Sequence, residues 1–270
     1  MLKRKQDISS NIDSAKQGFT LIEVMLVFAI TGLMLIGVLA GTYSSINHQR
    51  YNDAVRSFAD FWQGEYATAV SPQSNGNGNS NELAIFGKVI SISDSDNKIY
   101  TATLVGGSNI PITLAGGFVS ELSAMMNVRR SDGTEVPTGV VCGGPSTSGS
   151  VSSYEPLWQS AILKTGNDGK INSANRFTGT IIIARSPTSG TIHTIVSDQV
   201  FGDLGGNCSA YSQALRNALK NGELGTEEVK MCVAMDGIGP QNQISLAADG
   251  RNASAVVTLG DSESGNDCRK

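Results

Sequence analysis

Few residues in this 270-residue chain could carry out acid–base or metal chemistry. Histidine, the commonest general base and metal ligand, occurs only at His48 and His193, in unlike surroundings. His193 falls within a predicted strand with no partner nearby in sequence, and we interpret it as a sheet-face histidine. No nucleophile, base and orienting acid form a recognisable set. We therefore expect a protein that is not an enzyme and that uses no cofactor and no metal ion.

Two short polar segments are candidate binding sites. Ser93–Asn97 offers the carboxylates of Asp94 and Asp96, oxygen ligands of the kind that calcium prefers, but no twelve-residue loop with a closing glutamate follows. A solvated turn is the favoured interpretation. The glycine-rich segment 143–149 is not followed by a lysine and has no strand–serine–helix context, which argues against a phosphate loop and a nucleophile elbow.

Four cysteines, Cys142, Cys208, Cys232 and Cys268, are spaced too widely for the paired pattern of a zinc site. In an oxidising compartment such cysteines form disulfides. Of the three connectivities, we favour Cys208 with Cys232, which would bracket a short predicted helix, and Cys142 with Cys268, which would tie down the C-terminal tail. Free buried thiols are the alternative.

A single apolar stretch dominates the N-terminal region. Residues 19–41 are mostly aliphatic, and Val24–Gln49 contains no charged side chain. As a helix, 23 residues span about 34 Å, enough to cross a hydrocarbon core of about 30 Å once. Residues 1–18 carry a net charge of +2. By the positive-inside rule, we expect a cytoplasmic N-terminus and export of the chain that follows the span.

Glu23 distinguishes between three interpretations of this stretch. A cleaved secretory signal needs a small-residue cleavage site, which the sequence after Leu39 provides only loosely. A plain uncleaved anchor leaves Glu23 unexplained, because a carboxylate inside the bilayer costs about 2 to 3 kcal/mol and calls for a partner. The third interpretation is a cut leader, which would supply that partner as a new amino group.

The segment Lys16–Val24, which reads Lys-Gln-Gly-Phe-Thr-Leu-Ile-Glu-Val, resembles the prepilin signal of type IV pilins and type II secretion pseudopilins. The resemblance covers roughly residues 16–60. It implies that prepilin peptidase cuts after Gly18 and methylates the amino group of Phe19. It also implies that Glu23, the fifth mature residue, recruits the N-terminus of an adjoining subunit. The alternative for Glu23 is that its carboxylate only reaches the membrane interface.

The resemblance further implies the partners and location of the protein. The partners are prepilin peptidase, other pilin subunits, the inner-membrane assembly platform and, before assembly, the lipid bilayer. The subunit would lie in the cell membrane first and in an extracellular filament later. Its expected role is structural, as a minor pilin or pseudopilin contributing to adhesion, motility, secretion or uptake. A major pilin and a membrane-anchored adhesin or binding module are the alternatives.

The helix is predicted to continue beyond the membrane to Val70. Apolar residues such as Val55, Phe58 and Trp62 recur at three- and four-residue intervals, and Ser71-Pro72 ends the pattern. Three glycines, Gly32, Gly37 and Gly41, interrupt the apolar half. We hold two explanations open for them: close packing between helices in the membrane, or local melting that lets the helix extend in a filament.

The remaining sequence predicts a β-rich head, giving an α+β fold in which a long N-terminal helix packs on a mostly antiparallel head. The expected domains are a leader (1–18), a spine helix (19–70), a polar linker (71–81) and the head (82–270). One helix, with an apolar stripe from Tyr211 to Leu219 and a stop at Asn221-Gly222, is predicted within the head. The predicted strands are 98–105, 178–185, 191–196, 229–235, 244–247 and 255–259.

Composition agrees with a folded protein. Hydrophobic residues make up 40% of the chain and charged residues 16%, which excludes a disordered polyelectrolyte. The net charge of −4 argues against general nucleic-acid binding through a basic surface.

Overall fold

The computed structural model describes residues 18–70, 83–93, 97–107, 117–127, 138–142, 151–165, 171–186, 188–224, 229–235, 238–246, 256–258 and 268. The chain divides into two compact units, which meet between Asn47 and His48. Helix α1, Leu21–Val70, begins in the first unit and ends in the second. The second unit contains every other described helix and strand, and we call it the head.

The described part of the chain contains three helices and eleven strands. After α1 come, in order, β1 (Leu83–Ile92), β2 (Ile99–Gly107), α2 (Phe118–Met126), β3 (Gly139–Val140), β4 (Ser152–Tyr154), a 3₁₀ turn (Leu157–Gln159), β5 (Ala161–Thr165), β6 (Ile171–Arg176), β7 (Gly179–Arg185), β8 (Ile192–Ser197), α3 (Cys208–Asn221), β9 (Val229–Met235), β10 (Ile238–Leu246) and β11 (Val256–Thr258).

The strands form two antiparallel sheets. Sheet 1 has the order β3-β2-β1-β7-β8, with β4 also paired to β2. Sheet 2 has the order β11-β10-β9-β5-β6. The strand pairs β1–β2 and β7–β8 are neighbours in both sequence and sheet 1, and antiparallel strands can be joined by such short connections.

Sheet 1 is covered on both faces, which explains why its central strands are apolar at almost every position. In β7, Ile181 and Ile183 point into one core, and Ile182 and Ala184 point into the other. The first core lies between sheet 1, sheet 2 and the head segment of α1, residues 48–70. The second core lies between sheet 1 and the helices α2 and α3. Successive side chains of a strand alternate between faces, so both sets are buried.

The head segment of α1 is part of the first core. Its buried face carries Tyr51, Val55, Phe58, Trp62 and Tyr66, which pack against isoleucines of β1 and β7 and against Met231 and Val233 of β9. Each of these helix positions follows the previous one by three or four residues, the spacing of one helix face. Residues 48–70 therefore belong to the folded core of the head.

Local sequence signals account for the ends of α3 and for one close strand contact. The Asn207 side chain accepts a hydrogen bond from the Ala210 N–H at the start of α3, and Gly222 ends the helix in the left-handed conformation at φ 70°. Gly87 in β1 lies so near β7 that a Cβ atom there would come 2.3 Å from the Ile183 carbonyl oxygen. A larger residue would separate the two strands.

The predicted fold class is confirmed: a long apolar N-terminal helix accompanies an antiparallel head. The predicted α3 and the six predicted strands are present, although β10 is longer than expected. The expectation of one helix within the head was wrong. A second helix, α2, packs Leu122, Met125 and Met126 into the second core. Strands β1, β3, β4, β5 and β6 were not predicted.

Candidate assembly site

The bond that the prepilin motif marks for cleavage lies outside regular structure. Gly18, Phe19 and Thr20 precede α1 and are exposed, and the Phe19 side chain is 79% exposed. An exposed segment outside regular structure is the kind of substrate that can enter the active site of a peptidase. The rest of the predicted leader, 1–17, lies outside the described residues.

Glu23 is held in the first turn of α1 by a cap. The Glu23 N–H donates to the Thr20 carbonyl oxygen at 3.0 Å and to Thr20 Oγ1 at 3.3 Å. Thr20-Leu-Ile-Glu23 is therefore half of a capping box, a threonine followed three residues later by glutamate. Sequence reasoning missed the role of Thr20, although this spacing was visible. The cap fixes the backbone that carries the Glu23 carboxylate, at a helix end that favours negative charge.

No described residue of the chain buries the large side chains in the apolar half of α1. Its large side chains, from Leu21 to Ile46, are between 40% and 77% exposed. A Cβ atom added at Gly32, Gly37 or Gly41 would meet nothing within 4 Å. Of the described helices, only α1 is long and apolar enough to cross a membrane. A surface of this kind requires a bilayer or other chains around it.

The two threonine hydroxyl groups in this half are satisfied within the helix. Thr31 Oγ1 donates to the Val27 carbonyl oxygen at 2.7 Å, and Thr42 Oγ1 donates to the Val38 carbonyl oxygen at 2.9 Å. Because both hydroxyl groups donate to backbone carbonyl oxygens of the same helix, the two residues add little polarity to its outer surface. The segment is thereby suited to an apolar surrounding.

The three glycines do not break the helix. α1 is continuous from Leu21 to Val70 and includes all of them. The glycines leave small patches on the helix surface where another helix could approach closely, as small residues do in membrane helix pairs. Local melting within a filament stays a prediction.

The head holds α1 by polar contacts as well as by packing. Tyr51 Oη donates to the Val233 carbonyl oxygen at 3.1 Å in sheet 2, and Tyr66 Oη hydrogen-bonds Thr194 Oγ1 at 2.6 Å in sheet 1. Burial raises the pKa of Tyr66, and the hydrogen bond from Thr194 opposes part of that rise. The two hydroxyl contacts fix the rotation and the height of the helix against both sheets.

A partly buried acidic group adds a third contact. Glu65 Oε2 lies 3.9 Å from Lys88 Nζ of β1, and both side chains are less than one-fifth exposed. Burial raises the pKa of Glu65, and the Lys88 charge and a hydrogen bond from Thr101 counteract it. Loss of hydration and attraction to Lys88 thus oppose each other at this position.

The four cysteines form two disulfides, but the favoured pairing was wrong. Cys142 pairs with Cys208, and Cys232 pairs with Cys268. Cys208 opens α3, which packs on sheet 1, whereas Cys232 lies in β9 of sheet 2. Proximity in sequence therefore did not mean proximity in space. The Cys142–Cys208 bridge joins α3 to the end of β3, and the Cys232–Cys268 bridge still ties down the C-terminal tail.

The structure describes only part of the remaining candidate sites of the sequence. His193 lies in β8, where its ring stacks on Phe118 at 4.2 Å and Nε2 hydrogen-bonds Thr191 Oγ1 at 2.8 Å. Its default interpretation as a sheet-face residue is consistent with this packing. Asp94 and Asp96 of the calcium candidate, and the glycine-rich segment 143–149, lie outside the described residues. Within the described part of the chain, no three acidic, histidine or cysteine side chains are grouped as a metal site.

Comparison with known proteins agrees with the N-terminal geometry. The family model for the prokaryotic N-terminal methylation motif matches residues 13–39. No curated protein matches the chain, and no solved structure matches it. The motif indicates a type IV pilin-like or pseudopilin substrate of prepilin peptidase and points to a structural subunit that assembles with other pilin subunits. The likeness to the type IV pilins and pseudopilins therefore rests on the methylation motif at residues 13–39 and on the apolar helix that contains most of it.

Proposed function

We propose that this protein is a structural subunit of a type IV pilus-like filament, in the role of a minor pilin or pseudopilin. Prepilin peptidase cuts after Gly18 and methylates Phe19, and the mature subunit waits in the membrane until the filament extracts it. The observation that supports this most directly is the contrast along α1. Residues 21–46 are exposed and apolar, while residues 48–70 form part of the head core.

Glu23 supplies the register between subunits in this proposal. Cleavage creates an ammonium group on Phe19, and a carboxylate four residues on attracts such a group from a neighbouring subunit. In a packed apolar bundle an unpaired carboxylate is strongly disfavoured, so only arrangements that pair it are stable. The Thr20 cap keeps the first turn intact and therefore keeps the carboxylate at a fixed height.

The first test is mass spectrometry of the N-terminal peptide from sheared surface filaments and, separately, from membranes. We expect a methylated peptide that begins at Phe19 in the filament fraction. An uncut leader found only in membranes would overturn the proposal. The chain would then be better described as a membrane-anchored binding module.

The second test removes the carboxylate. We expect Glu23→Ala to be cut and methylated like the native chain but to be lost from filaments, because the pairing group is absent. Asp53→Ala is the matched control, since Asp53 is an exposed carboxylate on the same helix. Normal incorporation of Glu23→Ala, measured by immunoblot of sheared filaments, would remove the proposed role of Glu23.

A further inference from the structure

The described part of the head exposes three large hydrophobic side chains. Leu157 is 43% exposed, Trp158 is 50% exposed and Val200 is 42% exposed. Leu157 and Trp158 are adjacent in the 3₁₀ turn that links β4 to β5. Isolated apolar residues on a surface need no explanation, but a pair that includes tryptophan is a recurring feature of contact sites.

The three residues lie at one end of sheet 1. Ile92 of β1 pairs with Ile99 of β2 and with Gly179 of β7, which marks this end of the sheet. Tyr154, which pairs with Ile99, leads into the Leu157–Trp158 turn. Across the sheet, Ser197 pairs with Thr180 and leads on to Val200.

This end of the sheet lies beside the beginning of the head segment of α1. Ser57 Oγ hydrogen-bonds Tyr154 Oη at 3.0 Å, whereas Tyr66, nine residues later, reaches Thr194 in the body of β8. The helix therefore runs from this end of the sheet towards the other. Arg50, two residues into the head, places its guanidinium 4.8 Å from the centre of the Trp158 ring.

The turn holds Trp158 in an unfavourable backbone conformation. Trp158 has φ 57° and the next residue, Gln159, has φ 55°. Bulky side chains rarely adopt positive φ, and such strain is concentrated at functional sites. The turn thus leaves the indole ring half exposed to solvent. The ring packs against Arg50 and is not part of either core.

Arg50 is also the first charged residue after the uncharged stretch Val24–Gln49. Nine residues separate it from Gly41, about 14 Å along a helix. Helical side chains lean towards the N-terminus of their helix, so the Arg50 side chain extends back towards the membrane span. This length is measured along α1 itself. It brings Arg50 and Trp158 within reach of the lipid headgroup layer.

We infer that the Leu157–Trp158 turn, together with Arg50, contacts the headgroup layer of the bilayer while the subunit is unassembled. The inference depends on the proposed membrane anchoring of residues 19–41. Tryptophan favours the membrane interface because its ring is apolar and its N–H is polar, and arginine pairs with lipid phosphate. Exposed Glu155 and Asp198 lie near the same end of the sheet. The contact therefore relies on the indole and on phosphate, and a zwitterionic bilayer is sufficient.

The test uses the full chain in phosphatidylcholine nanodiscs at one copy per disc, with lipids brominated near the headgroup end of their acyl chains. The chain has two tryptophans, and Trp62 is fully buried in the head. We expect brominated lipid to quench up to half of the tryptophan emission of the native chain. In Trp158→Phe this quenching should disappear. Replacing a fifth of the lipid with phosphatidylglycerol should leave the native quenching unchanged, within roughly a tenth.

The matched control moves the tryptophan to the opposite end of the same sheet. Ser189 is exposed in the turn between β7 and β8, and Trp158→Phe combined with Ser189→Trp should give emission that the lipid does not quench. Flotation of the discs separates this inference from the proposed anchoring. A chain that floats without Trp158 quenching overturns the inference alone, and a chain that does not float overturns both. Shielding of Trp158 from iodide that develops only at high subunit density would assign the turn to a second copy and would also overturn the inference.

Discussion

The two halves of α1 are parts of one helix with opposite surroundings. In residues 21–46 every large apolar side chain is at least 40% exposed, whereas in residues 48–70 those on one face are almost completely buried. Helix propensity does not account for the difference, because both halves form regular helix. The second half is covered by the protein itself. The first half must be covered by a bilayer or by other chains. The folding stability of the head and the membrane insertion or assembly of the apolar half are therefore separate properties.

The strongest test of this separation compares one substitution in each half. Trp62→Ala should lower the free energy of unfolding of the head by about 3–5 kcal/mol, because it empties a fully buried site in the first core. Leu33→Ala, at a residue that is 72% exposed, should change it by less than about 0.5 kcal/mol. Denaturant unfolding of the full chain in detergent, followed by circular dichroism, measures both. Similar losses in the two variants would show that the halves are energetically coupled.

A second test removes the bridge of the C-terminal tail. Changing both Cys232 and Cys268 to alanine should destabilise the head by about 2–4 kcal/mol, since the bridge restricts the unfolded chain and both sulfurs are buried. Membrane insertion, measured by carbonate extraction, should be unaffected, because the apolar half takes no part in the bridge. A variant that is extracted by carbonate would contradict the independence of the two halves.

A third test uses the titration of a buried tyrosine on the far face of sheet 1. Burial raises the pKa of Tyr211 to about 12, although hydrogen bonds with Thr180 and Ser91 oppose the rise. The folded state therefore keeps the proton longer than the unfolded state. Stability should be unaffected by this group below pH 10 and should fall by about 3 kcal/mol between pH 10 and pH 12.

Tyr211→Phe is the comparison that isolates this effect. The variant loses a buried hydrogen bond, about 1 kcal/mol at neutral pH, but its stability should fall less steeply between pH 10 and pH 12. Parallel alkaline declines in the native chain and the variant would mean that Tyr211 does not titrate in this way. Urea unfolding at a series of pH values provides the measurement.

The smallest expected effect is at Glu65, where α1 meets β1. Because burial raises the pKa of Glu65, the folded state binds a proton more readily than the unfolded state, and its contribution to stability falls as pH rises above 4.5. Relative to Glu65→Gln, the native chain should therefore gain stability on acidification, by less than about 1 kcal/mol. A difference between the two that stays constant from pH 7 to pH 4 would show that Lys88 offsets the burial completely.

The sequence was sufficient for those features that depend on short-range patterns. The Lys16–Val24 motif, the apolar run and the stripe of α1 are each defined by residues within a few turns of one another, and so is the Asn221-Gly222 stop of α3. The pairing of Cys142 with Cys208 was not predictable, because it depends on α3 packing against sheet 1. The exposed Trp158 was also missed, since its position depends on a turn between strands that were not predicted.

The two disulfides differ in how much of the chain must be delivered before each can close. Under the proposed export from a membrane-anchored N-terminus, the chain crosses the membrane from its N-terminal to its C-terminal side. The Cys142–Cys208 bridge can then close as soon as residue 208 has crossed, whereas the Cys232–Cys268 bridge must wait until residue 268 has crossed. Sheet 2 therefore receives its covalent link after α3 has already been linked to the end of β3.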